Sequence, residues 1–237
     1  GKNFNNYFGR IYQPRYLSGI AAGLNTKTNK IGYVAAMGLD NSEVTGGIDA
    51  CALGIYSVNP DAKVYVKVTN SWYDPKGEEE AAKTLLNMNC DVIAQHCDTV
   101  YPQTLAQEKG VYSIGYNSDM SKEAPEACLC SVIWNWSAYY TSAVQSVIDG
   151  TWDGSNYYGG MNENLVSITP IADFAADTTQ EKVNVAKQQI LSGKNGVFDG
   201  VIETNTGATV GTAGKTLEDS VITGGINWYF KTVSVIE

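Results

Sequence analysis

The stretch AKVYVKVTNSWYDP, residues 62–75, decides the fold. Val64, Val66 and Val68 alternate with Tyr65 and Lys67, which predicts a β-strand to about Thr69. Asn70, Ser71, Asp74 and Pro75 are turn formers, so the strand stops there. The turn carries Trp72, a large apolar side chain placed where water reaches it. Either a core covers that indole or a flat ligand does.

Working outward, the same punctuation repeats. KIGYVAA (30–36), DVIAQ (91–95), VYSIGY (111–116) and ACLCSVIW (127–134) read as further strands, rich in continuous apolar residues. Between them lie helical segments. In 42–58, Val44, Ile48, Cys51, Ala52 and Ile55 share one helix face. Segment 77–89 opens with Glu78, Glu79 and Glu80, where a helix dipole favours anions. Segment 102–110 closes on Gly110. Segment 137–150 is a helix expected to turn Tyr140, Val144, Val147 and Ile148 inward. Alternating strands and helices predict right-handed βαβ crossovers and a parallel sheet covered on both faces. Beyond Trp152 the chain reads as loop. A helix follows over 178–193, with Thr178 and Glu181 spaced for a capping box. A hairpin is predicted over 197–215, turning near Asn205–Gly207.

Bulk properties narrow the function. The 237 residues suffice for a large core, and 43% hydrophobic with 17% charged residues fits a globular chain. The net charge of -9 and the lack of a basic stripe argue against nucleic acid. No apolar run approaches a membrane span, and no signal peptide is visible. Five cysteines cannot all pair within the chain. Cys51, Cys90, Cys97, Cys128 and Cys130 read as small buried hydrophobes. A metal set of Cys90, His96, Cys128 and Cys130 lacks zinc-knuckle spacing, so no metal and no cofactor is expected.

Ligands of open parallel α/β sheets bind at the carboxyl ends of the strands. There the sequence places Asn70, Trp72 and Asp74, then His96 and Asp98, then Asn117 and Asp119, and then Trp134 with Trp136. An indole can stack on a heterocycle while amides and carboxylates read its polar edge. The bland readings are Trp72 folded back on a helix, His96 as a structural histidine, and Asp98 and Asp119 as turn residues. Signatures of a nucleophile elbow or a phosphate-binding loop are absent. No spacing selects acid–base work by Asp74, Asp98 or Asp119, so no catalytic residue is assigned.

YFGRIYQPRYLSGIAAG (7–23), TNKIGYVAA (28–36), VNPDAKVYVKVTNSWYDP (58–75), CDVIAQHCD (90–98), EKGVYSIGYNSDMS (108–121) and SVIWNWSAYY (131–140) together resemble the basic membrane protein (BMP) family. These are extracytoplasmic substrate-binding lipoproteins of ABC transporters. The resemblance implies a type I periplasmic-binding-protein fold, with two α/β lobes closing on a purine nucleoside or nucleobase. It implies that Trp72 stacks on the base, that His96 and Asp98 lie near the cleft beside Gln95, and that Asn117 replaces a ribose-binding carboxylate. A free base such as adenine gains from that replacement. The family's N-terminal portion has no counterpart, so the first lobe is expected to be incomplete, with a second copy compensating as a homodimer. The expected division is 1–28 as a remnant of the first lobe and 29–134 as the second α/β lobe. Residues 135–237 would hold the crossover helix and segments shared between lobes and hinge. The implied partners are a purine ligand and an ABC-transporter permease. The implied location is extracytoplasmic, on a lipid anchor absent from this chain. The alternatives are the same fold binding a sugar-like solute, a chain that binds nothing, or a nucleoside hydrolase-like enzyme.

Overall fold

A computed structural model describes residues 2–237. In chain order the elements are β1 (Tyr7–Gly9), α1 (Tyr12–Asn25), β2 (Lys30–Ala35), α2 (Ser42–Val58), β3 (Lys63–Val68), α3 (Pro75–Asn87), β4 (Val92–His96), α4 (Tyr101–Glu108), β5 (Tyr112–Asn117), β6 (Cys128–Trp134), α5 (Ser137–Ile148), β7 (Tyr157–Gly159), β8 (Val166–Ile168), α6 (Thr179–Leu191), β9 (Asp199–Glu203), β10 (Thr209–Thr216), α7 (Asp219–Gly224) and β11 (Val233–Val235). The predicted strands and helices from Lys30 to Trp134 therefore stand, and α2 has the predicted bounds.

The main sheet has seven strands in the order β11-β3-β2-β4-β5-β6-β8. Every neighbouring pair is parallel except β6 with β8. Alternation along β2 feeds two cores. Ile31, Tyr33 and Ala35 join the α1–α2–α6 face, while Val34 and Ala36 join the α3–α4 face. This two-faced covering explains why the strands read as unbroken apolar runs. The cysteines pack as expected, all five free and buried.

Helices α1 and α2 cross at backbone distance because glycines meet there. A Cβ on Gly19 would lie 2.1 Å from the Cys51 carbonyl oxygen, and one on Gly54 would lie 2.0 Å from that of Tyr16. The stretch 1–28, expected as a first-lobe remnant, thus holds α1, which is packed into the same core as the 29–134 sheet.

Two sequence expectations are corrected. Tyr140, Val144, Val147 and Ile148 of α5 are not inward: they are 47, 59, 61 and 72% exposed. Helix α5 leaves the sheet beside a two-stranded parallel ribbon of β1 and β7, and only Tyr139 is buried on it. Thr178 forms no capping box, because its backbone is already helical (φ -90°, ψ -5°) and its side chain makes no cap bond. The predicted hairpin is β9–β10, turning through Gly207 at φ +80°.

Candidate functional site

The carboxyl ends of β2–β6 form one rim, and the geometry there is built from turns. Asn70 and Asn117 take left-handed backbone conformations (φ 56° and 72°), which asparagine tolerates better than most residues. They end β3 and β5 abruptly and leave the following side chains at the edge. The backbone N–H of Asp98 donates to the Trp72 carbonyl across 2.9 Å, joining the β3 turn to the end of β4. Asn117 Nδ2 donates to Asp98 Oδ1 at 3.4 Å, joining β4 to β5. Partial burial and the nearby Glu78 and Glu43 raise the Asp98 pKa from its ordinary value, against the hydrogen bond from Asn117.

Beneath this edge sits an aromatic row. The His96 ring lies edge-on to Trp72 (centroids 5.8 Å apart) and tilted against Tyr116 (4.4 Å). Trp134 Nε1 donates to the Tyr116 hydroxyl at 3.3 Å, and the Trp134 ring stacks on Trp136 (4.5 Å). Phe8 of β1 lies 5.1 Å from Trp134. Trp72 and Trp134 are half-buried and pack against the core from this edge.

His96 is fully buried. Burial and the Arg15 charge depress its pKa to about 4, against the pull of Glu43, so the ring is neutral at pH 7. The Tyr33 hydroxyl lies 3.4 Å from Nδ1 and can donate to it or accept from it. Nε2 has no hydrogen-bond partner and faces Glu43 Oε1 at 3.5 Å. Arg15 is also fully buried. Its Nη1 donates to the Gln95 carbonyl (2.7 Å), and its guanidinium lies over the Tyr116 ring (4.4 Å).

The predicted site residues divide. Trp72, Asp98, Asn117 and Trp134 converge on the His96–Tyr116 pair. Asp74 is turned to a structural task, its Oδ1 accepting from Gly77 N at 3.1 Å as the N-cap of α3. Asp119 is exposed and accepts from Ser121 N (3.0 Å), the turn role weighed as its bland reading. Asn70 is exposed and shapes the β3 turn through its backbone. Gln95 is buried, with Nε2 holding the Cys97 and Thr99 carbonyls. Sequence reading missed Tyr116 and Glu43. The one lies within a strand and the other in the first turn of α2, and neither position carries a punctuation signal. Among the described residues no group of three or more His, Cys, Asp or Glu could hold a metal ion.

Residues 1–197 match the family model for Bmp, the PnrA-like ABC transporter substrate-binding proteins. The chain belongs to this family. Among curated relatives, a protein described as an ABC transporter glucose-binding protein from Haloferax volcanii is 38% identical over 84% of this chain and 50% of its own length. A purine-binding protein from Brucella abortus is 35% identical over 96% of this chain and 64% of its own. The chain thus spans about half to two thirds of these relatives. An ABC transporter solute-binding protein from Conexibacter woesei shares the fold, with TM-score 0.63 and 22% identity over 80% of this chain and 64% of that one. The Bmp family model describes substrate-binding proteins rather than enzymes, so the hydrolase-like alternative drops out. No helix among the described residues is long and apolar enough to cross a membrane.

Proposed function

We propose that this chain captures a purine nucleobase or nucleoside at the rim of its main sheet and serves ABC-transporter uptake. The observation that carries the reading is the meeting of two half-buried indoles, Trp72 and Trp134, with the exposed Asp98–Asn117 pair (3.4 Å) around one buried aromatic base. Stacking on an aromatic is worth about 1–3 kcal/mol per base, and an amide–carboxylate pair supplies donor and acceptor together. The named purine-binding relative, similar along almost the whole chain, supports the same reading.

The partner would be a membrane permease, with the protein outside the cytoplasm on a lipid anchor. Segment 29–134 would form one lobe, and the β1–β7 ribbon would lie in the hinge. A homodimer has one observation in its favour, the uncovered apolar side of α5.

A sugar is the second reading, favoured by the named glucose-binding relative. Isothermal titration with adenine, adenosine, guanosine, glucose and ribose separates the two. Heat with a purine is the expected result. Heat with glucose or ribose alone replaces the purine by a sugar.

A further inference from the structure

Glu43 stands in the first turn of α2, where its charge alone would suit the helix dipole. Its side chain does more than that. Oε1 accepts from the Tyr116 hydroxyl at 3.4 Å and lies 3.5 Å from His96 Nε2, both long contacts. Oε2 takes no protein donor among the described residues. The carboxylate is 22% exposed, and it borders a small cavity of about 50 Å³ that Phe8, Tyr158 and Ile222 also line. The fully buried His96 has no hydrogen-bond partner at Nε2, which faces that same Glu43 Oε1. A buried polar atom without a partner is costly, and sites that bind polar ligands carry such atoms. Trp72 and Trp134 flank the His96–Tyr116 pair that Glu43 approaches from the α2 side.

Resting on the reading of this rim as the ligand site, we propose that Glu43 is its specificity-determining acceptor. It takes an N–H or O–H donor of a neutral ligand and rejects anionic ones. A carboxylate has only acceptors, so it rewards an amino group, a ring N–H or a hydroxyl, and repels an acid. Asp98 reinforces that sign. The Arg15 cation does not reverse it, because the guanidinium is shielded behind the Tyr116 ring and bonded to the Gln95 carbonyl.

The test is titration of the wild-type chain, Glu43→Gln and Glu43→Ala with adenine, uric acid (an anion at neutral pH) and glucose, with thermal midpoints measured alongside. Glu43→Gln keeps the volume and removes the charge. It is expected to weaken the ligand that binds by about 10-fold, and Glu43→Ala by about 100-fold, since hydrogen bonds to charged groups contribute roughly 1.5–3 kcal/mol. Uric acid is expected to bind only once the charge is gone. If adenine binds and Glu43→Gln leaves its affinity unchanged, the Glu43 assignment falls while the purine reading stands. If glucose binds in place of adenine and loses affinity in both variants, the purine reading falls and the Glu43 assignment stands. Heat with none of the three overturns both. A variant with a collapsed thermal midpoint and intact affinity per folded molecule assigns Glu43 to the scaffold and overturns the proposal.

Discussion

The amide N–H of Asp98 donates to the carbonyl of Trp72 across 2.9 Å, so the turn after β3 is tied to the segment that follows β4. The Trp72 indole is therefore held from its backbone, near-perpendicular to the His96 ring and half-buried against the core. Preorganisation of this kind lowers the entropic cost of binding.

Replacing that ring tests it. Trp72→Ala is expected to weaken binding of an aromatic ligand by roughly 10–100-fold, the equivalent of about 1–3 kcal/mol of stacking. Trp72→Phe should stay within a few-fold of wild type. Calorimetric titration reads both. Equal affinity for all three chains would remove Trp72 from the site.

Asn117 has a backbone task and a side-chain task, and two substitutions separate them. Asn117→Gly keeps the φ of 72° accessible and loses only the amide held by Asp98. It should preserve the thermal midpoint and weaken ligand. Asn117→Val puts a branched side chain in the left-handed region, which costs about 1–2 kcal/mol and lowers the midpoint by roughly 2–8 °C. Scanning calorimetry of both variants is the check.

The α1–α2 crossing reverses the usual rule for helical glycine. Alanine in a helix is ordinarily about 1 kcal/mol better than glycine. At Gly19 or Gly54 the added methyl meets a backbone oxygen at about the distance of a covalent clash, 2.1 and 2.0 Å. Each Gly→Ala change is expected to cost about 1–3 kcal/mol by forcing the helices apart. At Gly224, where nothing lies within 4 Å, the same change should be neutral or mildly stabilising. Denaturant midpoints of the three variants decide it.

His96 makes stability depend on pH. Its folded pKa, about 4, lies below the ordinary value of 6.5 because burial and Arg15 disfavour the charged ring. The unfolded chain binds a proton first, so this contribution is fully present above about pH 6.5. It is lost as the pH falls from there through about 4, where the folded ring protonates. Glu43, Tyr33 and Tyr116 are the titratable groups facing it. Thermal midpoints from pH 7 to 4 should fall more steeply for the native chain than for His96→Gln. Parallel curves would show that His96 is not the titrating group.

The legible part of this molecule is local and periodic. Lys63–Val68 alternates and ends in Asn70, so both the strand and its stopping point can be read directly. In α2, Val44, Ile48, Cys51 and Ile55 repeat on one face, and all four are buried. Periodicity groups residues on a face but does not say what covers that face. Tyr140, Val144, Val147 and Ile148 do share a side of α5, and that side meets water because the helix departs from the sheet. Non-local pairing is silent as well. Strand β11 returns from the far end of the chain to lie beside β3, and β8 pairs antiparallel, with no signal in either short segment. Within the site, punctuation residues revealed Trp72, Asp98 and Asn117. Tyr116 and Glu43 stayed hidden because an ordinary strand tyrosine and an ordinary first-turn glutamate look the same wherever they point.

The five free thiols, on α2, on β6 and on either side of β4, are each 3% exposed or less. Burial also holds them protonated, with Cys51 pushed up to about 11 and Cys90 to about 12. Alkylation needs a solvated thiolate, so none of them reacts while its surroundings stay closed. The chain therefore carries an internal clock for its own breathing. The rate at which each sulfur is capped by a reagent reports how often that part of the interior opens.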